Sequence, residues 1–210
     1  MKIKICGLTK IEEAAYLNEC QVDFAGFILF YPKSKRNNTL GQAESIAMSL
    51  DASIKRVAVV VSPTLEEIRK IEFSCARFDY IQIHGMITED LLEQIQLPVL
   101  RAFNVTNMEG YPYYRVSDKI AGYVFDAAEP GSGKTFDWNL VKQLPRGEKL
   151  FLLAGGLHAG NVQEAIAALH PDGVDVSSGV EYDDKPGKDP EKIRQFVQNC
   201  YYSRSISEKS

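Results

Sequence analysis

Eight short apolar stretches rich in β-branched residues recur along this 210-residue chain at nearly even spacing: Ile3–Cys6, Phe24–Phe30, Arg56–Val61, Tyr80–Ile83, Val99–Phe103, Gly122–Asp126, Leu150–Ala154 and Gly173–Ser177. Their ends fall about 24 residues apart, room for one strand, one loop and one short helix in each unit. Runs such as Val57–Val61 are apolar on both faces, which suits a parallel sheet covered by helices rather than a sheet with one wet face. Eight successive strand-helix units favour a closed (β/α)8 TIM barrel, a single-domain α/β fold, over an open doubly wound sheet, which periodicity alone leaves possible.

Segments with helical spacing fill the intervals. Ile11–Asn18 follows Thr9, a candidate cap, and Ala43–Leu50 carries apolar residues at helical intervals. Thr64-x-x-Glu67 is a capping box that opens Leu65–Phe73, and Thr88 precedes Glu89–Gln94 in the same way. The fifth segment, Asn104–Tyr114, contains Gly110 and Pro112 and predicts no more than a turn; Trp138–Leu144, Asn161–Leu169 and Pro190–Tyr201 complete the set. No linker or composition break divides the chain, so one catalytic barrel over 1–202 is expected, with a polar, fraying tail at 203–210.

Charge and cysteine usage bound the partners. With 24 Lys and Arg against 28 Asp and Glu, the net charge is −4, which supplies no basic field for nucleic acid or an anionic membrane. A small acidic metabolite would need local cations instead. The first strand begins at residue 2 and no run reaches the length of a membrane span, so neither a leader nor an anchor is expected. Cys6, Cys20, Cys75 and Cys200 are scattered without a Cys-x-x-Cys pair, which argues against a structural zinc site or a disulfide framework and for a reducing cytoplasm.

In a barrel of this class the chemistry gathers at the C-terminal ends of the strands. Those ends supply Cys6, the Lys33–Arg36 segment, His84, Asp126, Gly155-Gly156 and Ser177-Ser178-Gly179. The glycines at 155, 156 and 179 fall after strands seven and eight, where backbone N–H groups and a short helix commonly hold a phosphate; as ordinary turn glycines they would need no ligand. Asp126 ends an apolar strand, where a carboxylate has no packing role and burial would make it a usable proton donor; capping of the next loop is the alternative. Cys6 on its own reads as a core residue, because free cysteine behaves as a small hydrophobe. Arg36 is either a solvated cation or a bidentate clamp for a carboxylate. His84 reads first as a satisfied core histidine, and His158 and His170 as surface residues.

One motif points elsewhere. Ala128-Glu-Pro-Gly-Ser-Gly-Lys-Thr135 fits a relaxed phosphate-loop pattern after a strand and suggests a nucleotide-binding switch. Phe136 and Asp137 interrupt the helix that should follow at once, and the strand before it is sixth rather than first. Lys134 therefore reads as a loop cation.

Together these stretches resemble the phosphoribosylanthranilate isomerases of tryptophan biosynthesis. The resemblance rests on Lys4-Ile-Cys-Gly-Leu-Thr9, Gly26-Phe-Ile28 with Ser34-Lys-Arg36, Ile81-Gln-Ile-His-Gly85, Phe125-Asp126, Gly133-Lys-Thr-Phe-Asp-Trp138, Leu153-Ala-Gly-Gly-Leu157 with Asn161-Val162, and Val174-Asp-Val-Ser-Ser-Gly-Val-Glu181 before Pro186-Gly187. It implies a barrel that needs no metal or organic cofactor and performs an Amadori rearrangement of an aminoaldose into an aminoketose. By that likeness Asp126 is the general acid and Cys6 the general base, Arg36 holds the anthranilate carboxylate, and the loops bearing Gly155, Gly156, Ser177, Ser178 and Gly179 hold the phosphate. His84 and Asp175 are further candidate substrate contacts. Lys35 and Ala159 depart from the family pattern, since many members carry proline there.

The implied partner is a small phosphorylated molecule, with no nucleic acid or membrane, and the chain is expected as a monomer or homodimer. A neighbouring phosphate-binding barrel is the competing enzyme reading. A strand-end lysine would favour an indole-glycerol-phosphate synthase, and paired strand-end aspartates with half-barrel repeats would favour an isomerase of histidine biosynthesis; neither pattern is evident.

Overall fold

Eight parallel strands close into a ring in chain order. In this computed structural model, which describes residues 1–105, 108, 110–126 and 138–207, they are β1 (Lys2–Cys6), β2 (Phe24–Leu29), β3 (Lys55–Val61), β4 (Tyr80–His84), β5 (Val99–Asn104), β6 (Ile120–Asp126), β7 (Leu150–Leu153) and β8 (Gly173–Val176). Each pairs with the next, and β8 returns to β1, so the ring has no open edge. The helices between them are α1 (Glu12–Cys20), α2 (Leu40–Ala47), α3 (Leu65–Glu72), α4 (Glu89–Gln94), α5 (Tyr111–Val116), α6 (Asn139–Lys142), α7 (Val162–Leu169) and α8 (Pro190–Ser207). The last helix runs into the segment expected as a tail, and 208–210 lie outside the described residues. The phosphate-loop-like segment 128–135, with Lys134, also lies outside them. Among the described residues no helix is long and apolar enough to cross a membrane.

Alternation along each strand divides the apolar side chains into two layers. Ile3, Ile5, Ala25, Phe27, Ala58 and Val60 belong to the layer between strands and helices. Phe24, Val57, Val59, Leu100, Ala102, Val124 and Leu152 fill the barrel interior together with Cys6 and Ala154. A closed barrel has no wet face, so the polar positions of β1 are buried as well: Lys4, with no exposed surface, shares the inward face with Cys6. Register then decides what they meet. Lys4 stands beside Asp175 of β8, and Cys6 beside Gly26 of β2.

The helix starts follow local chemistry. Thr64 and Thr39 each accept from the N3 backbone N–H, and Glu67 and Gln42 close the two capping boxes; Thr88 accepts from the N–H of Leu91. Thr9 does not cap α1. The N-cap is Ile11, and Glu13 Oε2 instead accepts from the N–H groups of Thr9 and Lys10. The fifth segment is a helix rather than a turn, because Gly110 supplies the left-handed N-cap and Pro112 falls in the first turn, where its missing N–H costs nothing.

Candidate active site

The C-terminal ends of the strands surround one cavity of about 520 Å³. Cys6, Arg36, His84, Asp126, Gly155 and Gly156 line it, as do Asp175, Ser177 and Ser178. Gly179 does not. It lies in the 3-10 turn Ser178–Val180, packed so closely on Leu157 that a Cβ would collide with the Leu157 carbonyl. Ile28, Val59 and Val61 give the cavity an apolar wall, and Lys33, Ser34 and Lys35 a polar rim.

Cys6 ends β1 with its thiol inside the barrel. Both its Sγ and Lys4 Nζ lie around the place a side chain on Gly26 would occupy, 2.8 Å and 3.1 Å from that point, so Gly26 creates the pocket they share. Lys4 Nζ donates to Asp175 Oδ2 at 2.7 Å, and Asp175 Oδ1 is buried with no hydrogen-bond partner. Burial pushes the Cys6 thiol above its ordinary range; Lys4 pulls it down, Asp175 pushes it up, and Lys188 pulls it down. Lys4 is itself raised: burial works against its charge, but Asp175 and Cys6 outweigh it.

His84 ends β4. Burial first, then the charges of Lys4 and Arg101, lower it to about 4, so the ring is neutral at physiological pH. Its Nε2 lies 2.9 Å from the Gln82 side-chain Nε2, and a neutral ring accepting there carries its proton on Nδ1. Asp126 ends β6 and opens onto the same cavity. His158 and His170 are exposed, as expected of loop residues.

Arg36 comes from the loop after β2, which a two-residue strand, Asn37–Asn38, returns to the barrel by pairing with Ile28 and Leu29. Asn37 Oδ1 accepts from the N–H of Tyr31, while Asn38 Nδ2 donates to the carbonyls of Leu8 and Arg36. The loop is thus tied at both ends. The Arg36 side chain crosses Gly7, whose φ of +78° and missing Cβ make the crossing possible; a Cβ there would stand 2.5 Å from Arg36 Cδ. Its guanidinium binds Glu181 side-on, through Nε and through Nη2 at 3.2 Å.

Three further residues of the site have no role assigned from the sequence: Lys4 and Glu181, which stand within the motifs of the resemblance, and Lys188. Lys188 has 1% of its surface exposed, donating to Ser177 O at 3.1 Å, Ser177 Oγ at 3.3 Å and Glu181 Oε1 at 3.2 Å. Burial lowers the Lys188 ammonium against the pull of Glu181. Ser177 Oγ in turn donates to the carbonyl of Cys6 at 2.9 Å, joining β8 to β1 at the rim. After β7, Gly155 and Gly156 both take positive φ, and Asn161 fastens their loop by donating to Gly156 O and accepting from the N–H of His158.

This geometry can be set beside known proteins. The family model described as N-(5'phosphoribosyl)anthranilate (PRA) isomerase matches residues 3–199. An N-(5'-phosphoribosyl)anthranilate isomerase of Streptococcus gordonii is 40% identical over 197 residues, covering 94% of this chain and 96% of the relative. The crystal structure of phosphoribosyl anthranilate isomerase from Thermotoga maritima superposes with a TM-score of 0.83 at 33% identity, over 96% of this chain and 99% of that one. A phosphoribosyl anthranilate isomerase crystallised with reduced 1-(o-carboxyphenylamino)-1-deoxyribulose 5-phosphate gives 0.78 at 32% identity, with the same coverage.

Proposed function

The chain belongs to the N-(5'-phosphoribosyl)anthranilate isomerase family and is an isomerase of tryptophan biosynthesis, and from that premise we propose how its residues divide the work. The reaction converts N-(5-phosphoribosyl)anthranilate into 1-(2-carboxyphenylamino)-1-deoxyribulose 5-phosphate. Asp126 is the general acid: it protonates the ribose ring oxygen as the bond from C1′ to that oxygen breaks, leaving an iminium. Cys6 is the general base: it removes the C2′ proton, and the electron pair of that bond reduces the iminium to an enolamine. Loss of the C2′ hydroxyl proton and protonation of C1′ then give the ketone. C1′ is reduced and C2′ oxidised within one molecule, so the electrons balance without an external redox partner.

Arg36 holds the anthranilate carboxylate, and the loops bearing Gly155, Gly156, Ser177 and Ser178 hold the phosphate, with Gly179 packing the second of them from behind. Neutral His84 donates to a sugar hydroxyl from Nδ1, and Asp175 orients the sugar from the barrel floor. The observation that carries this reading is that a thiol, a carboxyl, a guanidinium and two glycine-bearing loops, drawn from five strand ends, line one cavity.

The test is direct. Purified protein, without added nucleotide, should quench the fluorescence of phosphoribosylanthranilate, and Cys6→Ala and Asp126→Asn should each lower kcat by roughly 100-fold or more, the usual contribution of a positioned acid or base. Full activity in either variant removes that residue from the mechanism.

A further inference from the structure

Arg36 can serve as a clamp only if something fixes the direction of its guanidinium, and the structure supplies a candidate outside the cavity lining. Glu181 follows the 3-10 turn after β8 and is held in a short antiparallel return: it bridges to Lys188, Tyr182 N–H donates to Gly187 O, and Asp189 N–H donates to Val180 O. Its side chain, 12% exposed, takes three cations: Arg36 on one edge, Lys35 Nζ at 2.9 Å and Lys188 Nζ at 3.2 Å. Burial works against the charged form, but the hydrogen bonds and charges of Arg36, Lys188 and Lys35 hold the carboxyl down at about 2, so it is ionised throughout the working range.

We propose that Glu181 is a positioning residue for the substrate carboxylate: it occupies the Nε and Nη2 edge of Arg36 and thereby presents the Nη1 side to the anthranilate. A guanidinium has five N–H donors in one plane, so a carboxylate on one edge leaves a second edge for another and fixes the plane in which it lies. The stem of Arg36 is fixed by its passage over Gly7, and the head by Glu181. Gly7 adjoins Cys6. The carboxylate of anthranilate is ortho to the amine and so only a few bonds from C2′, which means that a small rotation of the guanidinium would carry C2′ away from the thiol. Three cations on one carboxylate also leave excess positive charge at this corner for the incoming anion.

This inference rests on the reading of Arg36 as the carboxylate clamp, and the experiment separates the two. Two substrates are compared, phosphoribosylanthranilate and the phosphoribosyl derivative of aniline, which lacks only the carboxylate. In Glu181→Gln, kcat/KM for the carboxylated substrate should fall about 10- to 100-fold, with kcat falling as well as KM rising, the size expected for roughly an ångström of misplacement. The aniline derivative, which feels Glu181 only through Lys188 and Ser177, should fall at least about fivefold less than the carboxylated substrate. Glu181→Asp, which keeps the charge on a shorter arm, should retain part of the preference, and it carries the test if the glutamine variant does not fold. Equal losses for both substrates, or an unchanged preference, overturn the inference and leave Glu181 a structural residue. Arg36→Ala is the control: if it keeps the wild-type preference for the carboxylate, the clamp reading fails as well.

Discussion

Replacing Lys4 by methionine tests the polar interior of the barrel most directly. Lys4 and Asp175 are register partners on neighbouring strands, their Nζ and Oδ2 lie 2.7 Å apart, and their side chains are 0% and 5% exposed. The other oxygen of Asp175 has no hydrogen-bond partner, so the ammonium is the main compensation for a buried carboxylate. Methionine keeps the length and apolar bulk of the stem, which makes the packing change small. What is lost is the partner of a buried charge, about 3–5 kcal/mol. For a domain of this size roughly 2–4 °C accompany each kcal/mol, so the thermal midpoint should fall by about 6–20 °C. Melting curves at pH 7, repeated as urea titrations, measure this. The double variant Lys4→Met/Asp175→Asn removes the stranded charge and should regain more than half of the loss. A second readout is chemical: Lys4 draws the Cys6 thiol down against burial, so alkylation of Cys6, followed peptide by peptide, should be slower in the single variant at the same pH. A loss below about 1 kcal/mol, the range of an exposed pair, or a double variant no more stable than the single one, refutes the reasoning.

Because burial raises the Cys6 thiol, with Asp175 adding and Lys4 and Lys188 opposing, the thiolate fraction keeps growing beyond the ordinary thiol value of about 8.5. The rate of Cys6 alkylation in the free protein should therefore still climb near about pH 9, and a rate already at its plateau at neutral pH would contradict a thiol raised by burial. In Gly26→Ala the new Cβ would stand 2.8 Å from Cys6 Sγ and 3.1 Å from Cys6 Cα, and the backbone atom cannot yield. Stability should drop by about 1–3 kcal/mol and turnover more steeply, through the displaced thiol; normal kinetics in that variant would separate Sγ from the chemistry. Thr64→Ala removes half of a capping box on the outer ring and should cost about 1 kcal/mol in urea titrations with unchanged kcat.

The barrel was legible because its two periods are independent and agree. Strands of four to seven residues with both faces apolar, spaced to admit one helix each, leave little but a closed parallel ring, and all eight predicted stretches are strands. The capping signals at Thr64 and Thr88 are local and survived folding; that of Thr9 did not, because α1 starts later, with Ile11 as its N-cap, and Glu13 accepts from the N–H groups of Thr9 and Lys10. The place of Lys4 is set by the closure of the ring. Alternation of lysine and isoleucine in β1 suggests a half-exposed strand, yet in a ring the second face is the interior, so the residue that looks solvated is among the most buried. Glu181 carried no role of its own because its partner Arg36 is 145 residues away, as Lys4 and Asp175 are 171 apart, distances that only the closure of the barrel removes; Lys188, bonded to Ser177 and Glu181, lies beyond the last strand end, outside the positions at which site residues are expected. One clue was available: in a barrel, a charged residue that alternation places inward needs an opposite charge on an adjoining strand.

That clue also explains why a chain of net charge −4 can bind an anion at its rim. Lys33, Lys35 and Arg36 line the cavity, while Lys4 and Lys188 lie buried close to the Cys6 thiol. Bare ammonium groups at that depth would lose their charge to desolvation, as the lowered Lys188 illustrates. Asp175 and Glu181 hold them in place before any substrate arrives, and Glu181, shared among three cations, does not neutralise its corner. The cost of ordering the cations is therefore met during folding rather than during binding. On the roles proposed above, a substrate with a phosphate at one end and a carboxylate at the other would meet fixed donors at both, and its C2′ would be brought to the Cys6 thiol that lines the cavity.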